Sequence, residues 1–405
     1  MQYRTMKKTG DRLSVLGFGT MRLPEKAGRI DEGRATALIR SAIDQGVNFI
    51  DTAFPYHLGT SEPFLGKALG DGYRERVRLC TKLPPWSVRT REDMDRILDS
   101  QLRRLRTDHI DYYLVHSLDG INWQRMRDLG VLSFLDAAKE DGRIVNTGFS
   151  FHGDLPSFKE IIDAYDWDAC LIQYNYLDER NQAGTEGMRY AAGKGVGIMV
   201  MEPLRGGNLA RRPPRAVRDI WHAAPVSRTP AEWALRWVWD HPEVTLLLSG
   251  MNDEEHLAEN LRIADDAIPS SLTEAERGCI ARARDAYRSL MKVDCTGCRY
   301  CMPCPAHVNI PLCFELYNNK HVFGEARSAG FYYAIRLSDI ANNQASFASQ
   351  CTRCGKCLRH CPQHLDIPTL LEGVAREFEG PLLRPKAWGA KRYMAFQKWR
   401  ATRGR

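Results

Sequence analysis

DEGRATALIRSAIDQGVNFIDTA, residues 31–53, holds a helix pattern and a strand in immediate succession. Asp31 is a natural N-cap for the amphipathic stretch that follows, and Gly46 is a natural stop. Beyond it, VNFIDTA (47–53) is a short apolar run that carries the carboxylate Asp51 near its end. The same alternation continues from residue 13 to about 285, and repeated βα units of this kind build a parallel sheet. The remaining strands read LGFGTM (16–21), VRLCTKL (77–83), IDYYLVHS (110–117), IVNTGFSF (144–151), CLIQYNY (170–176), GIMVMEPL (197–204) and VTLLLSGM (244–251). Eight parallel strands over about 250 residues predict an α/β fold, the (β/α)8 TIM barrel, with its active site at the C-terminal ends of the strands. A doubly wound sheet is the competing reading. It would announce a dinucleotide site by GxGxxG after its first strand, and GFGTMRLP lacks that spacing.

At 405 residues, 43% hydrophobic and 26% charged, the chain has the composition of an ordinary globular protein with room for two domains. The N-terminus has no continuous apolar h-region, and no stretch approaches about 18 uninterrupted apolar residues, so neither secretion nor a membrane span is indicated and a cytoplasmic location is expected. The net charge of +7 draws attention to the tail Arg384–Arg405, basic with interleaved aromatics. Such a tail could track phosphates or anionic lipid. The reading favoured here is packing of Trp388, Tyr393, Phe396 and Trp399 on the protein, with no nucleic-acid partner, because nothing else in the chain supports one.

Eight of the twelve cysteines fall in two runs near the C-terminus, Cys295, Cys298, Cys301, Cys304 and Cys351, Cys354, Cys357, Cys361. The second run is C-x2-C-x2-C-x3-C-P, the spacing of two-cluster ferredoxins, in which the fourth cysteine of a run ligates the other cluster. The first has two residues rather than three before its fourth cysteine. Tetrahedral zinc competes, but zinc sites usually separate two CxxC halves by a longer loop. The expected organisation is a barrel over 1–285, a small, mostly helical, ferredoxin-like domain with two 4Fe-4S clusters over 286–380, and a basic tail over 381–405. Cys80 and Cys313 read as buried, inert thiols.

Asp51 ends strand two, Lys82 strand three and His116 strand four, and Tyr56 follows in the loop after Asp51, so all four should converge on one mouth. On the segments NFIDTAFPYHLGTSE, LCTKLP and DYYLVHS, residues 1 to about 285 resemble the aldo/keto reductase family, and CTGCRYCMPCP resembles its ferredoxin-type subgroup. That resemblance implies the catalytic tetrad Asp51, Tyr56, Lys82 and His116. It also implies cofactor contacts from Ser150, Gln173, Met201, Pro203, Leu204, Gly206, Gly207, Ser249, Gly250, Glu259 and Asn260, with Ser150 at the carboxamide, the glycine pair at the pyrophosphate, and Glu259 and Asn260 at the adenosine. Three departures stand out. Phe151 occupies the place of an asparagine, and Met201 that of the stacking aromatic. The cations that grip a 2′-phosphate are missing where Asp253, Glu254 and Glu255 add repulsion. Asn252 is the expected cap of that helix.

Carbonyl reduction needs a hydride at carbon and a proton at oxygen. A phenol with a pKa of about 10 is a poor acid at neutral pH, so Lys82, paired with Asp51, is expected to lower that of Tyr56 while His116 orients the oxygen. NAD(P)H, with NADP against NAD open, is the expected cofactor of a carbonyl or alcohol oxidoreductase whose clusters exchange electrons with a ferredoxin or are structural. A flavin in the mouth, kept open by Phe151 and Met201, is the alternative; a non-catalytic electron-transfer module is the third. The loops that set the small-molecule substrate carry no readable code.

Overall fold

The computed structural model describes residues 1–293, 295, 301–324, 326–338, 344–361, 365–381, 383, 385, 387–389 and 392. Eight strands close into a barrel: β1 (Leu16–Gly19), β2 (Phe49–Asp51), β3 (Arg78–Leu83), β4 (Ile110–Leu118), β5 (Ile144–Phe151), β6 (Ala169–Gln173), β7 (Gly197–Met201) and β8 (Val244–Ser249). Each pairs in parallel with its sequence neighbours, and β8 returns to β1. Five strands end earlier than the quoted runs, at Gly19, Asp51, Gln173, Met201 and Ser249. The chain leaves the ladder there: Thr20–Arg22 is a 3-10 turn, and Glu202 and Arg205 take positive φ.

The helix read from residues 31–46 is α1 (Glu32–Asp44). Asp31 accepts a bond from the Arg34 amide at 3.3 Å, and Gly46 turns the chain at φ +100°, where a side chain would be strained. Two further helices frame the site, α2 (Ser61–Ala68) and α3 (Arg91–Leu105).

Inside the barrel, Phe49, Cys80, Tyr112, Leu114, Leu171, Met199, Leu246 and Leu248 pack into one buried cluster, joined by Met6 and Leu13 from the N-terminal hairpin. A Cβ on Gly197 would lie 2.0 Å from Met6 Sδ, so that glycine makes room for the hairpin. Strand side chains alternate between faces, so the residue two positions on points to the same interior. Asp51 therefore stands above Phe49, Lys82 above Cys80, His116 above Leu114, Gln173 above Leu171 and Met201 above Met199. Burying each apolar side chain of the lower layer contributes about 1.5–3 kcal/mol, and the register that achieves it aims the polar layer at the mouth.

By its internal contacts the chain forms two units, one of residues 1–211 and 224–280, the other of 212–223 and 281–405. The second is helical where described, with Ile310–Phe323, Ala326–Arg336, Lys356–His360 and Ile367–Phe378. Its core includes Val308, Cys313, Phe314, Leu337 and Leu371, and Tyr333 stacks on Phe378 at 4.6 Å. Trp388 departs from the expected packing of the tail: it is 61% exposed, and Arg392 rather than the core covers its ring at 4.7 Å. Tyr393, Phe396 and Trp399 lie outside the described residues. Among the described residues no helix is long and apolar enough to cross a membrane.

Candidate active site at the barrel mouth and candidate cluster ligands

The four tetrad positions come together. Lys82 Nζ donates to Asp51 Oδ1 at 2.5 Å and to the Thr52 carbonyl at 2.7 Å, with both side chains closed to water. The same ammonium lies 5.1 Å from the centre of the Tyr56 ring. Tyr56 meets His116 edge-on, centroids 6.3 Å apart. Trp86, in the loop after β3, covers the other side of His116 at 5.1 Å.

Burial alone would lower the Lys82 pKa, but the charges of Asp51, Tyr56 and Cys80 outweigh it and the net shift is upward, so the ammonium persists at neutral pH. For Tyr56 the expected lowering does not occur. Dehydration of the phenolate pushes its pKa up by more than Lys82 pulls it down, because Asp51 already balances the ammonium's charge and itself adds to the rise. The His116 pKa falls well below its ordinary value through burial, then Lys82, then His152, so its ring is neutral. Among the described residues His116 Nδ1 is buried with no hydrogen-bond partner. Cys80 is fully buried, and burial and Asp51 raise its thiol pKa well above the usual range, as an inert thiol requires.

The positions implied for a nicotinamide line the same rim. Ser150 Oγ accepts the Ser117 amide at 2.7 Å, which leaves the hydroxyl proton free to donate outward. Gln173 is fixed at both ends, donating to Asp178 at 3.1 Å and accepting from Gln182 at 2.9 Å. Met201 is half-buried at the end of β7. Phe151 is fully buried against Phe158, at 5.0 Å, in the helical layer and off the mouth. After β7, Leu204 accepts the amides of Gly207 and Leu209, both at 3.0 Å, so the Gly207 amide is spent in a turn behind buried Pro203. A Cβ on Gly206 would stand 3.3 Å from Arg22 and one on Gly250 3.4 Å from it. Between Leu204 and Gly206, Arg205 pairs with Asp178 at 3.2 Å, and among the described residues its buried Nη1 has no hydrogen-bond partner.

Beyond β8, Asn260 donates to Ser249 Oγ at 2.8 Å, and Glu259 is half-buried beside it. The helix Glu254–Asp265 is capped by Asp253 rather than Asn252. The Asp253 carboxylate takes the Glu255 amide at 2.9 Å, while Asn252 turns to His256 at 3.2 Å. Nor are the acids here uncompensated. Arg34 reaches from α1 to Asp253 at 2.9 Å and to Glu254, and its bond holds the Glu254 pKa down at about 2.

Sequence reasoning missed Trp86, Arg205, Asp178 and Arg34. A large apolar residue four places after Lys82, in a strand-end loop, was a usable signal for Trp86. A recess of about 830 Å³, flanked by Val88, Arg89, Ile121 and Gln124, lies beside that loop, and no tetrad residue lines it.

In the second unit, Cys295, Cys301, Cys304, Cys351, Cys357 and Cys361 all pack half-buried against one core, and Cys354 is exposed. Cys298 lies outside the described residues. Burial raises the Cys357 thiol pKa, and Cys304 of the first run packs against the same core as Cys351 and Cys357 of the second. Among the described residues no three such side chains gather tightly enough for a single metal ion.

The family profile described as Aldo/keto reductase family matches residues 15–275, and that described as 4Fe-4S dicluster domain matches residues 294–365. Aldo-keto reductase YhdN of Bacillus subtilis is 37% identical over 125 residues, 29% of this chain and 38% of its own length, so the match spans well under half of that relative. The holo form of an aldo-keto reductase from Bacillus halodurans superposes with a TM-score of 0.60 at 27% identity, over 70% of this chain and 96% of that one. An aldo/keto reductase from Klebsiella pneumoniae, solved in complex with NADP and acetate, does so at 0.57 and 26% identity, over 70% and 95%.

Proposed function

Since the chain belongs to the aldo/keto reductase family and carries a C-terminal 4Fe-4S dicluster domain, we propose that it reduces a carbonyl, or oxidises the corresponding alcohol, with NAD(P)H at the barrel mouth. The observation that carries this reading is the buried Lys82–Asp51 pair beneath Tyr56, next to a neutral His116 with an unused ring nitrogen. A bound nicotinamide supplies the hydride. The protein does the rest: Tyr56 gives its proton to the oxygen as the alkoxide forms, and Lys82 stabilises the charge left on the phenolate. Asp51 keeps Lys82 in place. His116 holds the carbonyl oxygen by its one N–H, and Trp86 walls the substrate side. The free Ser150 proton and the fixed Gln173 amide suit a carboxamide, and the spare Arg205 Nη1 suits a phosphate.

Two clusters are the proposed content of the second unit. Cys295, Cys298, Cys301 and Cys361 hold one; Cys351, Cys354, Cys357 and Cys304 hold the other. The crossed pattern follows the rule of two-cluster ferredoxins, in which the fourth cysteine of a run ligates the other cluster. The clusters serve electron transfer, with a ferredoxin or similar carrier as partner, or structure. Of the two features that favoured a flavin, Phe151 faces away from the mouth, which leaves Met201 alone.

The test is anaerobic purification followed by metal analysis, an absorption spectrum, and assays of NADH and NADPH oxidation against a panel of aldehydes and ketones. Iron, the broad visible absorption of iron-sulfur clusters and carbonyl-dependent turnover are the expected result. Stoichiometric flavin, or no carbonyl turnover with either nicotinamide, overturns the reading.

A further inference from the structure

Glu62 is fully buried behind the mouth, in the first turn of α2, and has no part in the chemistry above. A buried carboxylate is costly unless its partners are in place, so what it holds is informative. Its Oε1 accepts from Thr81 Oγ1 at 2.8 Å and from Gln101 Nε2 at 2.7 Å. Gln101 Nε2 also donates to the backbone carbonyl of Lys82 at 3.0 Å. Glu62 Oε2 faces Arg104 Nε at 3.3 Å. One carboxylate thus ties α3 to the stretch of β3 that presents Lys82.

Arg104 works in the other direction. Its Nη2 donates to the Gly59 carbonyl, and its guanidinium lies 4.8 Å over the Phe54 ring. Gly59 closes a left-handed turn of three residues immediately after Tyr56, with φ +50° at His57, +56° at Leu58 and +86° at Gly59. Side chains in that region cost about 1–2 kcal/mol each, so the turn persists only where its surroundings hold it. His57 is pinned on its far side by Glu25 at 2.9 Å and the Leu23 amide at 3.2 Å. Arg104 pins the end nearer the barrel wall.

We infer that Arg104 and Glu62 are a positioning pair that sets Tyr56 against Lys82, Arg104 by locking the turn after the tyrosine and Glu62 by anchoring both that guanidinium and the Thr81–Lys82 backbone. Neither touches a reacting atom. The inference rests on Tyr56 being the proton donor.

The experiment uses the full-length holoprotein with NAD(P)H and an aldehyde that it reduces. Arg104→Met keeps bulk over Phe54 and removes the donors. It is expected to lower kcat about 10- to 100-fold, since misplacement by about 1 Å costs that much, with KM for the nicotinamide unchanged. Arg104→Lys, which keeps the charge, recovers part of the loss. If Arg104→Met does not fold, Glu62→Gln is expected to give a smaller loss of the same kind. The loosened turn admits water to Tyr56, so the alkaline limb of alcohol oxidation moves to lower pH. In the Tyr56→Phe background Arg104→Met adds no further loss. Losses that multiply in the double variant, an unmoved limb, or turnover within about threefold of the parent overturn the inference. Full activity of Tyr56→Phe alone would instead remove the acid assignment beneath it.

Discussion

Lys82 Nζ and Asp51 Oδ1 lie 2.5 Å apart with almost no exposure of either side chain, one layer above Cys80 and Phe49 in the barrel interior. Leaving one member of such a pair alone costs about 3–5 kcal/mol, whereas apolar replacement of both is often close to neutral. Asp51→Leu is therefore expected to destabilise the barrel by that amount in chemical denaturation, and Asp51→Leu with Lys82→Met to recover most of it. A loss under about 1 kcal/mol in the single variant would mean that the pair is far better hydrated than its geometry implies.

Removing the phenol hydroxyl leaves hydride delivery intact and takes away the proton. Tyr56→Phe is expected to lower carbonyl reduction 10²- to 10⁴-fold, the usual span of general acid catalysis, with nicotinamide binding and iron content unchanged. Steady-state rates within about tenfold of the parent would reassign the donor.

The two directions should differ in their pH dependence. Reduction uses the neutral phenol and a neutral imidazole; the Tyr56 pKa is shifted up and the His116 pKa well down, so both forms persist and the rate is level from about pH 6 to 9. Oxidation needs the phenolate, which forms only above the raised value, so its rate climbs about tenfold per pH unit across the same range. An oxidation profile that flattens by about pH 8 would place the working pKa below that of an ordinary tyrosine.

Cluster wiring is testable one cysteine at a time. Intact protein is expected to hold about eight irons per chain. Cys304→Ser should disturb the cluster bound by Cys351, Cys354 and Cys357, visible as a change in one of two reduced-state paramagnetic signals. About four irons in the parent, stoichiometric zinc, or perturbation confined to the other cluster would contradict the crossed pattern.

Nicotinamide discrimination is expected to be weak or to lean toward NAD. A helix start favours an anion by about 0.3–1 kcal/mol, and a 2′-phosphate arriving there must compete with Asp253 and Glu254 for Arg34. Titration should find NADPH binding less than about a hundredfold tighter than NADH, a gap of about 2.7 kcal/mol. Glu254→Gln should shift the preference toward NADPH. A larger gap in the parent would mean that Arg34 already leaves its carboxylates for the phosphate.

Much of this was legible from alternation and strand ends. Asp51, Lys82 and His116 could be placed because a barrel strand delivers its last inward residue to one rim, and that logic needs only parity. What failed needed other information. Asn252 and Asp253 are both competent caps, and which one serves depends on partners one turn away. The sign of the Tyr56 shift depends on burial set against charge, which no spacing encodes. Arg34 and Glu254 are 220 positions apart, so their bond leaves no local trace. Phe151 was read as a departure that kept a flavin open, although it sits one residue from inward-facing Ser150 and so faces the opposite side of the sheet.

The two-residue rhythm that stacks Lys82 on Cys80 makes the barrel unequal in its tolerance of insertions and deletions. Residues can be gained or lost in the loops beyond the rim, where substrate choice resides, while every inward side chain keeps its station. Loss of one residue within β3 below Lys82 would instead turn the ammonium toward the helices and bring Leu83 to the mouth, ending the chemistry and disturbing the core in one event. New substrates are therefore open to such a protein by changes of loop length, and its reaction is closed to change by any odd step in a strand.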